Sequence, residues 1–265
     1  MEGQTLSWDE NLEQCRPQRK FMFCEGALRR QINSGNTIAL RVRRGQEISV
    51  TNILYLHSEY VAYLDAVLST LSRDYRLNVT VVSWDEGLLK PYRVPDIPGV
   101  SFIKRSTLDE RGLANLIETV SPEVIVTSGW MDRGYVSAIR RLRSDKPRVP
   151  LIVTGMDSQW LGTLRQRLGA LYFRKCLLSI YDYAWVAGGR QYEYAKRLGF
   201  VQDRIIFDVL SANNELFALP DSEIRSRVVR NSKTFLYVGN LREVKGVDVL
   251  IEAFALYRED SKDPW

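Results

Sequence analysis

From residue 51 onward the chain alternates short, wholly apolar runs with longer amphipathic ones, and few folds accept that pattern. A strand with no polar face needs cover on both sides, and helices with one apolar stripe supply it. The pattern therefore predicts an α/β fold with a doubly wound parallel sheet. NILYLHS (52–58) reads as the first strand and YVAYLDAVLSTLSR (60–73) as its helix, with Val61, Leu64, Val67, Leu68 and Leu71 on one face. NVTVVSW (78–84) is the second strand, and Pro91, Pro95 and Pro98 mark the loop to the third, GVSFIKR. A helix opening at Ser106 or Thr107 follows. PEVIVTSG, PLIVTGMD, YDYAWVAGG and RIIFDVLSA are the remaining strands, separated by the helices VSAIRRLRS, WLGTLRQRLGALYFRKCLL and QYEYAKRLGF.

Past Phe217 and Pro220 a polar helical stretch, DSEIRSRVVRNS, leads to a new strand, KTFLYVGN, and a helix, DVLIEAFALYRED. Three segments are expected: an extension over 1–50 with no clean period, in which GQEISVTNI lengthens the first strand; a doubly wound domain over 51–218; and a linker with one βα unit of a second domain over 219–265. A lone βα unit cannot bury its own sheet face, so it either docks on the first domain or belongs to a piece of a longer protein.

The formal net charge is +5, of which the first fifty residues carry +2, a spread too thin for a nucleic-acid stripe. Cys15, Cys24 and Cys176 show no CxxC spacing, and His57 is the one histidine, so neither a disulfide framework nor a zinc site is expected. No apolar run approaches the ~18 residues of a membrane span, and the start is acidic, which points to the cytoplasm.

Open parallel sheets bind ligands at the carboxyl ends of their strands. Residues just past each strand are therefore the candidates, and each has a plainer role beside the functional one. Asp157 suits a cleft carboxylate or, like Ser158, a helix N-cap for the run near Trp160. His57 suits a titrating ligand group or a packed side chain. Gly188 and Gly189 let a substrate approach the backbone or turn the chain into a helix. Trp130 and Trp160 stack on a sugar or fill the core. The basic residues Arg140, Arg141, Arg143, Lys146 and Arg148, with Arg165, Arg167, Arg174 and Lys175, meet anionic lipid in peripheral membrane contact or form a solvated face. In FLYVGNLREVKGVDVLIEAF, a strand ending at Gly239 and a Lys245–Gly246 pair before a helix make an anion site, where free backbone donors and a dipole end meet a lysine charge.

GNLREVKGVDVLIEAFALYRED resembles the opening of the donor-binding domain of family 4 glycosyltransferases, retaining enzymes of the GT-B fold that use nucleotide-sugars. RIIFDVLSANNELFALP is similar to that family's interdomain segment, and PLIVTGMDSQW to the strand that many members follow with a His-Asp pair, here Met156 and Asp157. The resemblance implies an acceptor-side Rossmann-like domain over 51–218 and the start of a Rossmann-like donor domain after it. It implies Gly239, Asn240, Arg242, Lys245 and Gly246 at the donor diphosphate, with Asn240 where the family has arginine. It also implies Asp157 as the catalytic carboxylate and an acceptor that is a sugar, a polysaccharide or a lipid-linked sugar. His57, Trp160, Gly188 and Gly189 are the acceptor-side candidates by their place past the strand ends, the family's own histidine following a later strand than His57. No cofactor and no metal is implied, the nucleotide-sugar being a substrate. The family's paired glutamates, eight residues apart, would fall beyond Trp265. A non-catalytic α/β binding or interaction module and a sugar-nucleotide epimerase of the same fold are the competing classes.

Overall fold

The computed structural model describes residues 30–32, 38–42, 46–61, 63–85, 95–145, 150–212, 218, 236–239, 241 and 243–260. The chain forms two compact units, residues 1–213 and 214–265.

The first unit is built on a seven-stranded sheet in which every neighbouring pair is parallel. Its strands are β4 (Asn52–Glu59), β5 (Asn78–Trp84), β6 (Val100–Lys104), β7 (Val124–Thr127), β8 (Leu151–Met156), β9 (Tyr183–Val186) and β10 (Ile205–Ile206). The spatial order is β10-β9-β8-β7-β4-β5-β6. The chain winds outward from β4 through β5 to β6, returns to lay β7 against the other side of β4, and then winds the opposite way. Right-handed crossovers put the helices of the two halves on opposite faces, so the sheet is doubly wound and Rossmann-like as expected. On one face α1 (Tyr63–Arg73) contributes Leu64 and Leu68 to a core with Tyr55, Val79 and Val81. On the other, α2 (Glu110–Val120), α3 (Arg133–Asp145) and α5 (Gly189–Leu198) cover Leu54, Leu56, Ile125 and Ile152 with Leu113, Ile117, Ile139, Tyr194 and Leu198. β7 is buried along its whole length, which is why its sequence has no polar alternation.

Several elements depart from the sequence reading. Gln46–Val50 does not lengthen β4. It is β3 of a separate antiparallel sheet with β1 (Arg30–Ile32) and β2 (Ile38–Val42), two strands that the sequence reading did not expect. The helix expected from Ser106 or Thr107 is a single 3-10 turn, Arg105–Thr107; α2 starts after Asp109, whose side chain accepts a 2.6 Å hydrogen bond from Gly112 N. The run expected to be helical from Trp160 starts its helix at α4 (Leu164–Tyr172), capped by Thr163, and widens into a π turn over Phe173–Leu177. RIIFDVLSA shrinks to the two residues of β10.

In the second unit the described residues hold a 3-10 turn, Glu243–Lys245, and α6 (Val247–Asp260). The strand expected over KTFLYVGN is absent at its described residues, 236–239, where Leu236 and Val238 are exposed. A strand needs a ladder partner to satisfy its backbone, and the segment has none among the described residues. DSEIRSRVVRNS lies outside them.

Candidate functional site

The winding reverses between β4 and β7, and in open α/β sheets ligands bind at the carboxyl ends of the strands beside such a switch point. The two strand ends are pinned: Ser58 N donates to Ser128 Oγ at 2.6 Å, and Ser128 N to Leu56 O at 3.2 Å. Gly129 follows at φ +74°, a left-handed conformation that favours glycine, and it turns the chain away from the sheet.

His57 sits near the carboxyl end of β4 at this switch point, where the strand bulges between His57 and Glu59. Its Nδ1 lies 2.8 Å from Glu59 O. A carbonyl only accepts, so Nδ1 carries the proton and Nε2 of the neutral ring keeps its lone pair. Burial holds the imidazole pKa below its ordinary value, although the Glu59 carbonyl and the nearby Asp157 carboxylate pull the other way. The same carboxylate, after burial, raises the Tyr63 hydroxyl. Asp157, exposed just past the end of β8 two strands from β4, is thus within electrostatic range of both residues.

The loop carrying Asp157 is held from both ends. Gln191 Nε2 donates to Asp157 O at 2.8 Å, and Ser158 Oγ to Asp157 Oδ1 at 3.2 Å. Gln166 Nε2 donates to Gln159 O, while its Oε1 accepts from Leu161 N. Neither Asp157 nor Ser158 caps α4; Thr163 does, accepting from Gln166 N at 3.3 Å. That removes the plain capping role weighed for Asp157.

Trp160 packs on the core with its ring centroid 5.3 Å from Tyr194 and the Arg197 guanidinium 5.2 Å away. Trp130 packs 4.7 Å from Phe173. Gly188 precedes α5 in extended backbone, and a Cβ on either Gly188 or Gly189 meets nothing closer than 3.8 Å. Both glycines leave room at the end of β9, and neither conformation demands glycine. His57, Asp157, Trp160, Gly188 and Gly189 therefore all belong to the carboxyl-end rim of one sheet. Of the donor-side candidates, Lys245 is exposed at the end of the 3-10 turn, Gly246 has φ +60° and leads into α6, and Gly239 is exposed. Asn240 and Arg242 lie outside the described residues.

A polar clamp beside the switch point was not foreseen. Asp132 accepts from Trp84 Nε1 at 2.7 Å, Tyr135 N at 3.0 Å and Arg105 Nε at 3.2 Å, tying the ends of β5 and β6 to the start of α3. Burial raises its carboxyl pKa, but these hydrogen bonds and the Arg105 charge outweigh that and leave it below the ordinary value. Tyr135 OH in turn donates to His57 O at 3.1 Å, so the clamp reaches the backbone of the candidate histidine. The Asp-x-x-Tyr start of α3 is an N-cap signal legible in the sequence; its link to Trp84 and Arg105 is not.

Among the described residues no group of three or more His, Cys, Asp or Glu is placed to hold a metal ion. Nor is any helix among them long and apolar enough to cross a membrane. A recess of about 300 Å³ lined by Arg111, Glu118, Arg141 and Asp145 lies between α2 and α3, within the helix layer.

The sheet defines an open, doubly wound Rossmann-like protein. No family model and no curated protein matches the chain. Among solved structures it is similar to HepE (Alr3699) from Anabaena, in complex with UDP and glucose, with TM-score 0.50 and 15% identity over 78% of this chain and 58% of that one. The chain thus spans under two thirds of that protein's length, and the likeness is one of fold. Two further matches are WbmH from Bordetella bronchiseptica in complex with NAD+ (TM-score 0.36, 12% identity, 80% of this chain and 84% of that one) and the dTDP-glucose 4,6-dehydratase of Bacillus anthracis with NAD (0.34, 13%, 52% and 53%).

Proposed function

We propose that the chain is part of a GT-B glycosyltransferase resembling family 4, which moves a sugar from a nucleotide-sugar to a sugar, polysaccharide or lipid-linked acceptor. The observation that carries the reading is the placement of His57 and Asp157 at the carboxyl ends of β4 and β8 on one sheet, a neutral imidazole with Nε2 as acceptor within electrostatic range of a carboxylate. The fold likeness to HepE, whose structure holds UDP and glucose, supports it. So does the Lys245–Gly246 turn at the start of a fourteen-residue helix, a placement suited to a diphosphate.

In this reading residues 51–218 form the acceptor side, and residues 219–265 begin the donor side. His57 Nε2 accepts a hydrogen bond from an acceptor hydroxyl, with Trp160, Gly188 and Gly189 lining the rim. Asp157 stabilises positive charge developing on the donor sugar ring as its bond to the diphosphate breaks and the acceptor oxygen forms the new bond. The diphosphate leaves with the bonding electron pair and takes up the proton that the acceptor hydroxyl releases; the resemblance assigns its binding to Lys245, Gly246, Gly239, Asn240 and Arg242. No metal or cofactor enters the proposal.

The turn from β4 into α1, residues 57–63, contains no glycine, so the close backbone approach that a dinucleotide pyrophosphate needs is not provided there. This favours transfer over nicotinamide chemistry. The test is release of nucleoside diphosphate by the full-length protein from a panel of nucleotide-sugars, with and without sugar acceptors. Acceptor-dependent release that Lys245→Ala weakens supports the reading. Isomerisation of the nucleotide-sugar without acceptor assigns an epimerase, and no turnover or binding across the panel assigns a non-catalytic module.

A further inference from the structure

On a surface helix the apolar stripe ordinarily faces the core. In α4 it faces outward. Leu164, Leu168, Leu171 and Tyr172 recur at i, i+4, i+7 and i+8, a single stripe, and are 72%, 59%, 52% and 52% exposed. Leu161, just before the helix, is exposed as well. The inward side is made by Ala170 and by Phe173 at the π turn, both buried. Arg165, Arg167, Arg174 and Lys175 are exposed on the same segment, and Arg140 of α3 adjoins it, its Nη2 3.4 Å from Cys176 O. From Ser158 to Tyr181 the chain has no Asp or Glu. Arg143 stands apart, its guanidinium being paired with Asp182.

We propose that this face of α4 docks on an anionic lipid bilayer, the leucines entering the boundary between headgroups and acyl chains and the cations meeting lipid phosphates. Apolar side chains framed by positive charge, with no acid among them, match such a surface in both respects. A second copy of the chain matches it poorly. A two-fold contact through α4 sets the arginines of one copy against those of the other with no carboxylate from this segment to offset them. The inference does not depend on sugar transfer, because docking is measured without donor or acceptor.

The experiment is co-sedimentation of the full-length protein with vesicles of phosphatidylcholine alone and of phosphatidylcholine with phosphatidylglycerol at three to one. The protein is expected to pellet with the anionic vesicles only, and less so as salt rises. Leu164→Ser with Leu168→Ser, and separately Arg165→Gln with Lys175→Gln, are each expected to lower the bound-to-free ratio ~10-fold. The four side chains are exposed, so thermal melts should match wild type. A Tyr172→Trp reporter is expected to shift its emission to the blue on the same vesicles. Wild-type protein that stays in the supernatant with both vesicles, or a leucine double variant that pellets like wild type, overturns the proposal. So does a wild-type dimer that the leucine double variant makes monomeric, since that assigns the face to a second copy.

Discussion

His57 Nδ1 and Glu59 O, 2.8 Å apart across the bulge of β4, fix the neutral histidine in one tautomer. The folded state holds this imidazole below its ordinary pKa of 6.5, mainly through burial, so the unfolded chain takes up the proton first as the pH falls. Its contribution to stability is thus complete above 6.5 and is lost as the pH drops below that value toward the folded-state pKa. Urea unfolding at pH 7.5 and 5.5 should show a loss at the lower pH that His57→Gln reduces. An equal loss in the variant would place the titration elsewhere.

Asp132 should matter for stability in a way its exposed neighbours do not. Asp132→Ala leaves the Arg105 guanidinium, only 20% exposed, without its carboxylate, and Trp84 Nε1 without its acceptor. A cost of about 3 kcal/mol is expected, and about half that for Asp132→Asn, which keeps an acceptor oxygen. Because the folded carboxyl pKa lies below 3.8, this contribution is present above that pH and disappears as the pH falls through the folded value. Denaturant melts of both variants at pH 7 and pH 3 check the size and the sign.

What was legible before the structure follows from what each signal reports. β4 and β7 centre on runs of four consecutive buried residues, and β5 and β8 are short, Val- and Ile-bearing and mostly apolar, a length and composition that suit a strand covered on both faces. The onset of α4 was misread because Trp160 and Leu161 continue its apolar pattern. Yet Thr163-x-x-Gln166, a capping-box spacing, marks the true start. KTFLYVGN has the composition of a strand, but composition reports a suitability that only a neighbouring strand realises. The approach of Asp157 to His57, one hundred residues away in sequence, is a product of strand order: β7 alone separates β4 from β8, and nothing local encodes that.

Gly199 closes α5 at φ +101°, and a Cβ there would sit 2.8 Å from Leu178 Cδ2. Gly199→Ala combines a left-handed backbone with a steric clash and should cost ~2 kcal/mol. Gly189→Ala, at the other end of the helix with open space around it, should be near neutral or slightly stabilising. Thermal melts of the pair discriminate, and similar losses in both would mean that helix propensity, not the cap, sets the effect.

Asp157→Asn separates chemistry from architecture at the rim. The carboxylate is exposed, and Thr163, not Asp157, caps α4, so removing its charge should leave stability within ~0.5 kcal/mol. The loop is anchored through the Asp157 backbone carbonyl by Gln191, a contact the substitution keeps. If the carboxylate stabilises charge on the reacting sugar, turnover in the full-length enzyme should fall by ~10² or more with little change in KM for the donor. Losing the negative charge also removes one of the influences that hold the His57 pKa up, so the imidazole should titrate lower in the variant, a shift measurable by NMR without any substrate. Unchanged turnover together with the lowered histidine pKa would leave Asp157 as an electrostatic neighbour of His57 and remove it from the chemistry. An unchanged histidine pKa would show that the two side chains are not electrostatically coupled.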